Sequence, residues 1–287
     1  SMAPTVPPTH DCRVRIGSAG SACTQPYSAS VFNISAMSFG LVSAAAVLAL
    51  NAGARRGGLA HDTGGFSAER FAQQARDPPI KMIEIKLSRG AKPGHGGVLP
   101  GPKVTAEIAA ARGVPAGVDG VSPAAHSAFS TSLELLQFVE RLRQLFGGKP
   151  VGFKLCIGHP RECFAVAKAM LDSGLLPDFI VVDGAEGGTG AAPLELTDPV
   201  GVPLQEGLLL VHNTLVGLNL RERIRIGCAG KVTSAFDIAQ LMAPGSLLAA
   251  AQGAGPWPHK VFELFWPVAQ ASSFRPAASF PESSDAR

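Results

Sequence analysis

Positively charged side chains set beside glycine-rich loops or inside apolar runs are the residues of this sequence best suited to chemistry. Lys86 lies near the end of the run Met82 to Leu87, which opens through Arg89 into Gly90-Ala91-Lys92-Pro93-Gly94-His95-Gly96-Gly97. Backbone amides and cations gathered in this way share the charge of a carboxylate or a phosphate. A flexible loop with solvated charges is the bland alternative, and composition alone weighs the two evenly. Lys154 sits inside the apolar segment Val151 to Leu155, where an ammonium is costly without an anionic partner. At the carboxyl end of a strand it would stabilise negative charge developing on a bound ring; the alternative is a lysine snorkelling to the rim.

Two further loops invite a ligand. Asp183-Gly184-Ala185-Glu186-Gly187-Gly188-Thr189-Gly190 directly follows an apolar run, and Gly227-Cys228-Ala229-Gly230-Lys231 precedes a helix starting near Ser234. The amides of the second loop, with the helix N-terminus, suit a phosphate, although many αβ loops share that bare pattern. His61-Asp62 and His159 are candidate acid–base or metal groups, yet no ligand spacing supports a metal. His126 and His212 read as structural, and Cys156 and Cys163 as packed thiols with no sign of a nucleophile.

The elements that must position these residues alternate. Strands are expected at Val31 to Ile34, Leu59-Ala60, Met82 to Leu87, Val151 to Leu155, Phe179 to Val182 and Ile224 to Ile226. Helices are expected from Ser43 to Asn51, from near Ser67 to Pro78, from Ser132 along Leu133, Leu136, Phe138, Val139 and Leu142, from Cys163 to Leu171, from Glu206 to Gly217 and from Ser234 to Met242. Short uncharged strands in βα order imply a parallel sheet covered on both faces. Glycine-rich loops after the strands fit the active face of a TIM (β/α)8-type barrel. A doubly wound sheet is disfavoured, because no G-x-G-x-x-G opens a helix after the first strand. Leu247 to Ala251 is a candidate further strand with nothing convincing after it, which leaves the barrel incomplete at its last strand. The expected organisation is an extended arm at 1–28, a barrel domain at 29–243 and an irregular tail at 244–287.

Bulk properties exclude several classes. A net charge of +3 with scattered Lys and Arg does not argue for nucleic acid. Five cysteines, an odd number, suit free thiols in a reducing compartment rather than a disulfide framework. No run of about 18 apolar residues offers a membrane span, and Ser1-Met2 reads as a cloning remnant without a signal peptide; the expected location is cytoplasmic. Open sheet edges would favour homo-oligomer formation.

Met37-Ser38-Phe39-Gly40, the string from Lys86 to Lys103 (KLSRGAKPGHGGVLPGPK), VGFKL at Val151 to Leu155, DGAEGGTGAAP at Asp183 to Pro193 and Gly230-Lys231 occur in the order of the signatures of one family. From about Cys23 to Met242 the chain resembles the FMN-binding barrel domain of the glutamate synthases, most of all the stand-alone bacterial members without a glutaminase domain. The resemblance implies a flavoprotein with FMN and a 3Fe-4S cluster, converting 2-oxoglutarate and ammonia to glutamate through 2-iminoglutarate by hydride transfer from reduced FMN. It implies that Met37, Ser38 and Gly40 line the flavin ring and that Lys154 faces its N1–C2 edge. Lys86 and Lys92 would bind 2-oxoglutarate or polarise its imine, Gly187, Gly188 and Thr189 would cover the substrate side, and Gly230 and Lys231 would begin the phosphate site.

Three departures accompany the likeness. His61-Asp62-Thr63-Gly64 runs almost directly into Gly65-Phe66-Ser67 where the family carries a longer segment. The family's last strand and cysteine-rich cluster loop have no recognisable counterpart after Met242, so the cluster ligands are missing. Arg89 and His95 stand where glutamate synthases commonly have glutamine and glutamate. Two alternatives therefore remain open: a truncated, inactive or partner-dependent barrel protein with weak or no flavin binding, and another FMN barrel oxidoreductase. The electron donor is left unassigned.

Overall fold

The computed structural model describes residues 13–34, 66, 68–76, 78, 80–87, 98–99, 101–106, 109, 115–121, 128–186, 201–230, 232, 234–243, 248–251 and 266–267. In chain order the strands and helices are β1 (Arg13–Ile16), β2 (Tyr27–Ser30), β3 (Phe32–Ile34), α1 (Ala68–Ala75), β4 (Ile83–Lys86), β5 (Val98–Leu99), β6 (Gly120–Val121), α2 (Ser132–Leu145), β7 (Val151–Leu155), α3 (Pro160–Ser173), β8 (Phe179–Asp183), α4 (Leu204–Gly217), β9 (Arg225–Ala229), α5 (Ala235–Met242), β10 (Leu248–Ala251) and β11 (Trp266–Pro267). The fold is α/β around a seven-stranded sheet in the order β11-β4-β7-β8-β9-β10-β3. Every pairing in that sheet is parallel, as the βα alternation demands.

Strand periodicity divides the central strands between two environments. Ile83, Ile85, Val151, Phe153, Ile180, Val182, Ile226 and Cys228 point to one face and join the core that α2, α3 and α4 cover. Burying each large apolar side chain there contributes about 1.5–3 kcal/mol. Met82, Phe179, Val181 and Ala229 point to the other face and pack with Ile16 and Ala29 of the β1–β2 hairpin. Gly152 belongs to that second face, where an added Cβ would lie 2.7 Å from the Phe179 ring. The missing side chain is what lets the ring fill the space beside β7.

Helix starts follow local chemistry. Thr131 caps α2 by accepting from the Glu134 amide at 3.2 Å, while the Glu134 carboxylate accepts from the Thr131 amide at 3.2 Å. The cap falls one residue before Ser132, and Leu133 is 43% exposed rather than part of the buried stripe. For α3, His159 accepts from the Arg161 amide at 3.1 Å and Pro160 opens the helix, while Gly174 closes it at φ 69°. Ser234 caps α5 as expected.

The candidate strand at Leu247 to Ala251 is present as β10. β10 pairs with β9 on one side and with β3 on the other, so a strand late in the chain meets an early one. Its Leu-Ala-Ala-Ala sequence lacks the β-branched residues that mark strands, which explains its weak signal. Trp266 pairs with Ile83, placing β11 beside β4. Among the described residues the sheet therefore ends at β11 and β3, and no pairing joins these two strands into a closed barrel. Residues 13–30 of the N-terminal segment contain two paired strands that are tied to β9 and the turn before it: Arg225 Nε donates to the Arg15 carbonyl of β1 at 3.1 Å and Ser18 Oγ, in the loop, to the Arg223 carbonyl at 2.6 Å.

The amino-terminal side of the sheet is fastened by a buried ion pair. Arg143 of α2 donates to Asp178 Oδ2 through Nε at 3.2 Å and a terminal nitrogen at 3.1 Å, and to the Leu176 carbonyl at 2.7 Å. The same carboxylate oxygen accepts from the Val151 amide at 2.9 Å, tying α2 to the starts of β7 and β8. Replacing Arg143 with Met strands the Asp178 charge in the interior and should cost about 3–5 kcal/mol. Urea denaturation checks this: the double change Arg143→Met with Asp178→Leu should be milder than the single one, and a single-variant loss below about 1 kcal/mol would contradict the assignment.

Candidate functional site

Parallel register decides which side chains meet. Lys86 on β4 pairs with Lys154 on β7, Lys154 with Val181 on β8, and Asp183 with Ala229 on β9. Directly paired residues share a face, so Lys86, Lys154 and Asp183 stand on the face opposite the helix-covered core, at the carboxyl ends of their strands. Glu84, paired with Gly152, lies two residues before Lys86 on that same face.

Lys154 is 1% exposed and Asp183 6%. The ammonium lies 2.9 Å from Asp183 Oδ2, which supplies the anionic partner that its burial requires. Ion-pair distance does not fill its donors, however: among the described residues Nζ makes no directional hydrogen bond. Glu84 is 5% exposed. Burial pushes its carboxyl above the ordinary range; Lys154 and then Lys86 pull it back, and Asp183 raises it further. Two lysines and two carboxylates thus form one buried layer.

The loops after β8 and β9 meet beside this layer. The Gly184 amide donates to the Ala229 carbonyl at 2.9 Å. Gly230 adopts φ 136°, and a Cβ there would lie 3.3 Å from the Gly184 nitrogen; glycine is needed for both conformation and closeness. Glu186 accepts from the Leu204 amide at 2.8 Å and so caps α4, whose own N-cap residue, Pro203, offers no side-chain hydrogen bond.

Of the residues singled out from sequence, Lys86 and Lys154 are brought side by side, and Gly230 lies on the same edge at the end of β9. Met37, Ser38, Gly40, Lys92, Gly187, Gly188, Thr189 and Lys231 lie outside the described residues, as do His61, Asp62 and His126. His159 is a helix cap, and His212 accepts from Arg221 Nε at 3.2 Å, so both have structural work. Burial, then the charges of Asp183 and Glu186, push the Cys156 thiol up to about 11, and burial raises Cys163 as well. Both line an apolar cavity of about 240 Å³ between β7, α3 and α4, on the face away from the lysines. The specific roles of Glu84 and Asp183 were missed by sequence reading. Their signal was present as carboxylates within apolar strands, one alternating with Lys86 and one ending β8.

In parallel α/β sheets ligands sit at the carboxyl ends of the strands, the edge at which Lys86, Lys154 and Asp183 stand. Residues 78–251 match the model of the conserved region in glutamate synthase. The chain is 42% identical over 189 residues to the glutamate synthase large subunit-like protein YerD of Bacillus subtilis, covering 66% of this chain and 36% of that protein. It is 41% identical over 165 residues to the archaeal glutamate synthase [NADPH] of Methanocaldococcus jannaschii, covering 57% and 32%. With the archaeal-type glutamate synthase [NADPH] of Thermotoga neapolitana it shares 33% over 230 residues, covering 74% and 45%. The chain belongs to the glutamate synthase family and spans less than half the length of these relatives. No helix among the described residues is long and apolar enough to cross a membrane.

The raised carboxyl of Glu84 has a consequence for stability. A folded-state value above the unfolded one favours the fold below the unfolded value, and that advantage is lost as pH rises through the folded value. Glu84→Gln, neutral throughout, should therefore gain stability relative to the parent between about pH 4 and about pH 8. Chemical denaturation at both pH values checks this; a difference independent of pH would contradict the raised carboxyl.

Proposed function

We propose that this chain is an FMN-dependent oxidoreductase of glutamate synthase type, forming glutamate from 2-oxoglutarate and ammonia through 2-iminoglutarate, within a (β/α)8-type barrel. The observation that carries the reading is Lys154: an ammonium 1% exposed, beside one carboxylate, whose Nζ has unfilled hydrogen-bonding capacity. An electron-rich ring edge, such as the N1–C2 side of a flavin, supplies an acceptor for it. When bound, FMN supplies the hydride.

The residues present fit that group. Lys154 would hold the ring edge and oppose the negative charge that develops there. Gly184 and Gly230 let the loops after β8 and β9 pack closely, since a Cβ at either position would run into neighbouring protein atoms, and Gly230 with Lys231 would begin the phosphate site. Met37, Ser38 and Gly40 would line the ring, with Gly187, Gly188 and Thr189 on the substrate side. Lys86, one strand away from Lys154, would bind the 2-oxoglutarate carboxylates together with Lys92. The 3Fe-4S cluster does not find a matching site: among the described residues no group of three His, Cys, Asp or Glu is placed to hold a metal ion. Among the described residues the four cysteines form no disulfide, and Cys228 lies in the helix-covered core. No step is assigned to it, and the donor of electrons to the flavin is left open, although two of the relatives carry NADPH in their names.

The test is direct. Mixed with FMN and freed of excess by gel filtration, the chain should retain a flavin absorbance band near one equivalent. With chemically reduced flavin, 2-oxoglutarate and ammonium, it should release glutamate. Retained flavin without glutamate would point to a different substrate of the same barrel chemistry. A cooperatively melting chain that retains no flavin would contradict the proposal and leave an inactive or partner-dependent protein.

A further inference from the structure

The buried layer contains one residue whose geometry reaches beyond holding the sheet together. Asp183 ends β8, is 6% exposed, and places Oδ2 2.9 Å from Lys154 Nζ. It sits between two kinds of neighbour. Its backbone pairs with Ala229 at the end of β9, and its chain successor Gly184 donates to the Ala229 carbonyl at 2.9 Å. Backbone pairing therefore fixes where the carboxylate stands, and the ion pair fixes where the ammonium stands in turn. Among the described residues, the other charges facing Lys154 are Lys86, its register partner on β4, and Glu84 two residues earlier on that strand. Asp183 also acts electrically on Cys156 and Glu84, so its charge is felt across this buried edge.

We propose that Asp183 is a positioning residue, which fixes the Lys154 ammonium at the inner edge of the sheet and moderates how strongly this site favours a reduced, negatively charged ring over the oxidised one. The inference deepens the flavin reading and rests on it for its redox half. The physical argument concerns net charge. With Asp183 ionised, the pair Lys154–Asp183 is close to neutral as seen from a ring a few ångströms away, and only its dipole and unused N–H donors act on the ligand. Replacing the carboxylate by an amide of the same shape leaves a whole positive charge in a poorly solvated place. Reduced flavin, which gains negative charge, is stabilised by that change more than oxidised flavin is.

The experiment compares the parent, Asp183→Asn and Asp183→Glu, each checked for a cooperative melt. With FMN bound, the midpoint potential is read by dye equilibration. Asp183→Asn is expected to raise the ratio of reduced-form to oxidised-form affinity at least about tenfold, equivalent to about 30 mV for a two-electron couple, and Asp183→Glu to return toward the parent. An unchanged potential in Asp183→Asn, even with a lowered melting temperature, overturns the proposal and leaves Asp183 a structural residue. A second readout is independent of flavin: in the ligand-free chain, the Lys154 Nζ resonance is assigned by its loss in Lys154→Gln. That resonance is expected to move in Asp183→Asn and to recover in Asp183→Glu. If the parent retains no FMN, the functional reading fails while this resonance still decides whether Asp183 fixes the ammonium; an unmoved resonance overturns the positioning role.

Discussion

A lysine ammonium cannot be taken out of water cheaply, and the placement of Lys154 is therefore a constraint on everything around it. The charge is tolerated at 1% exposure because Asp183 stands 2.9 Å away, and Asp183 can stand there only if β7 and β8 keep their parallel register. A slip of one residue on either strand would turn its side chains to the opposite face and leave one charge among the apolar residues under α3 and α4. The register is held in turn by the Arg143–Asp178 pair at the opposite end of the same two strands, where one carboxylate oxygen serves both the guanidinium and the Val151 amide. One ion pair fixes how the strands begin, and the other exploits how they end.

This arrangement separates stability from chemistry along the sheet. On one face, isoleucine, valine and phenylalanine alternate into the helix-covered core. On the other, Met82, Phe179 and Val181 pack with the β1–β2 hairpin toward the strand beginnings, while Glu84, Lys86, Lys154 and Asp183 gather toward the strand ends. The apolar part excludes water beneath the charges, which strengthens their mutual interaction and their effect on a bound ligand. The glycines at 184 and 230 let the two adjoining loops pack closely beside them. An inner edge that is apolar below and carries a buried cation at its centre suits a flat, electron-accepting ring.

Much of this was legible in the sequence, for reasons that differ between elements. Val151 to Leu155 was bounded correctly because five residues with one charge leave little choice between helix and strand, and the helix expected from Ser234 is α5, with Ser234 as its cap. Lys154 drew attention because a cation in an apolar run demands an explanation. Its partner was harder to find: Asp183 follows Phe-Ile-Val-Val as the natural start of a glycine loop, and only the pairing of β7 with β8 shows that it faces Lys154. Glu84 was hidden in the same way, since a two-residue alternation with Lys86 does not reveal which face the strand buries. β10 was ambiguous because alanine carries no strand preference, and its position between β9 and β3 is a long-range property.

The central claim is that Lys154 serves a bound flavin rather than the fold alone. The most direct measurement is the dissociation constant of FMN for Lys154→Gln against the parent, by fluorescence titration of protein shown by circular dichroism to be folded. Loss of a charged hydrogen-bond donor to the ring predicts at least about tenfold weaker binding, near 1.4 kcal/mol. An unchanged dissociation constant in a folded variant would contradict the account and confine Lys154 to neutralising Asp183.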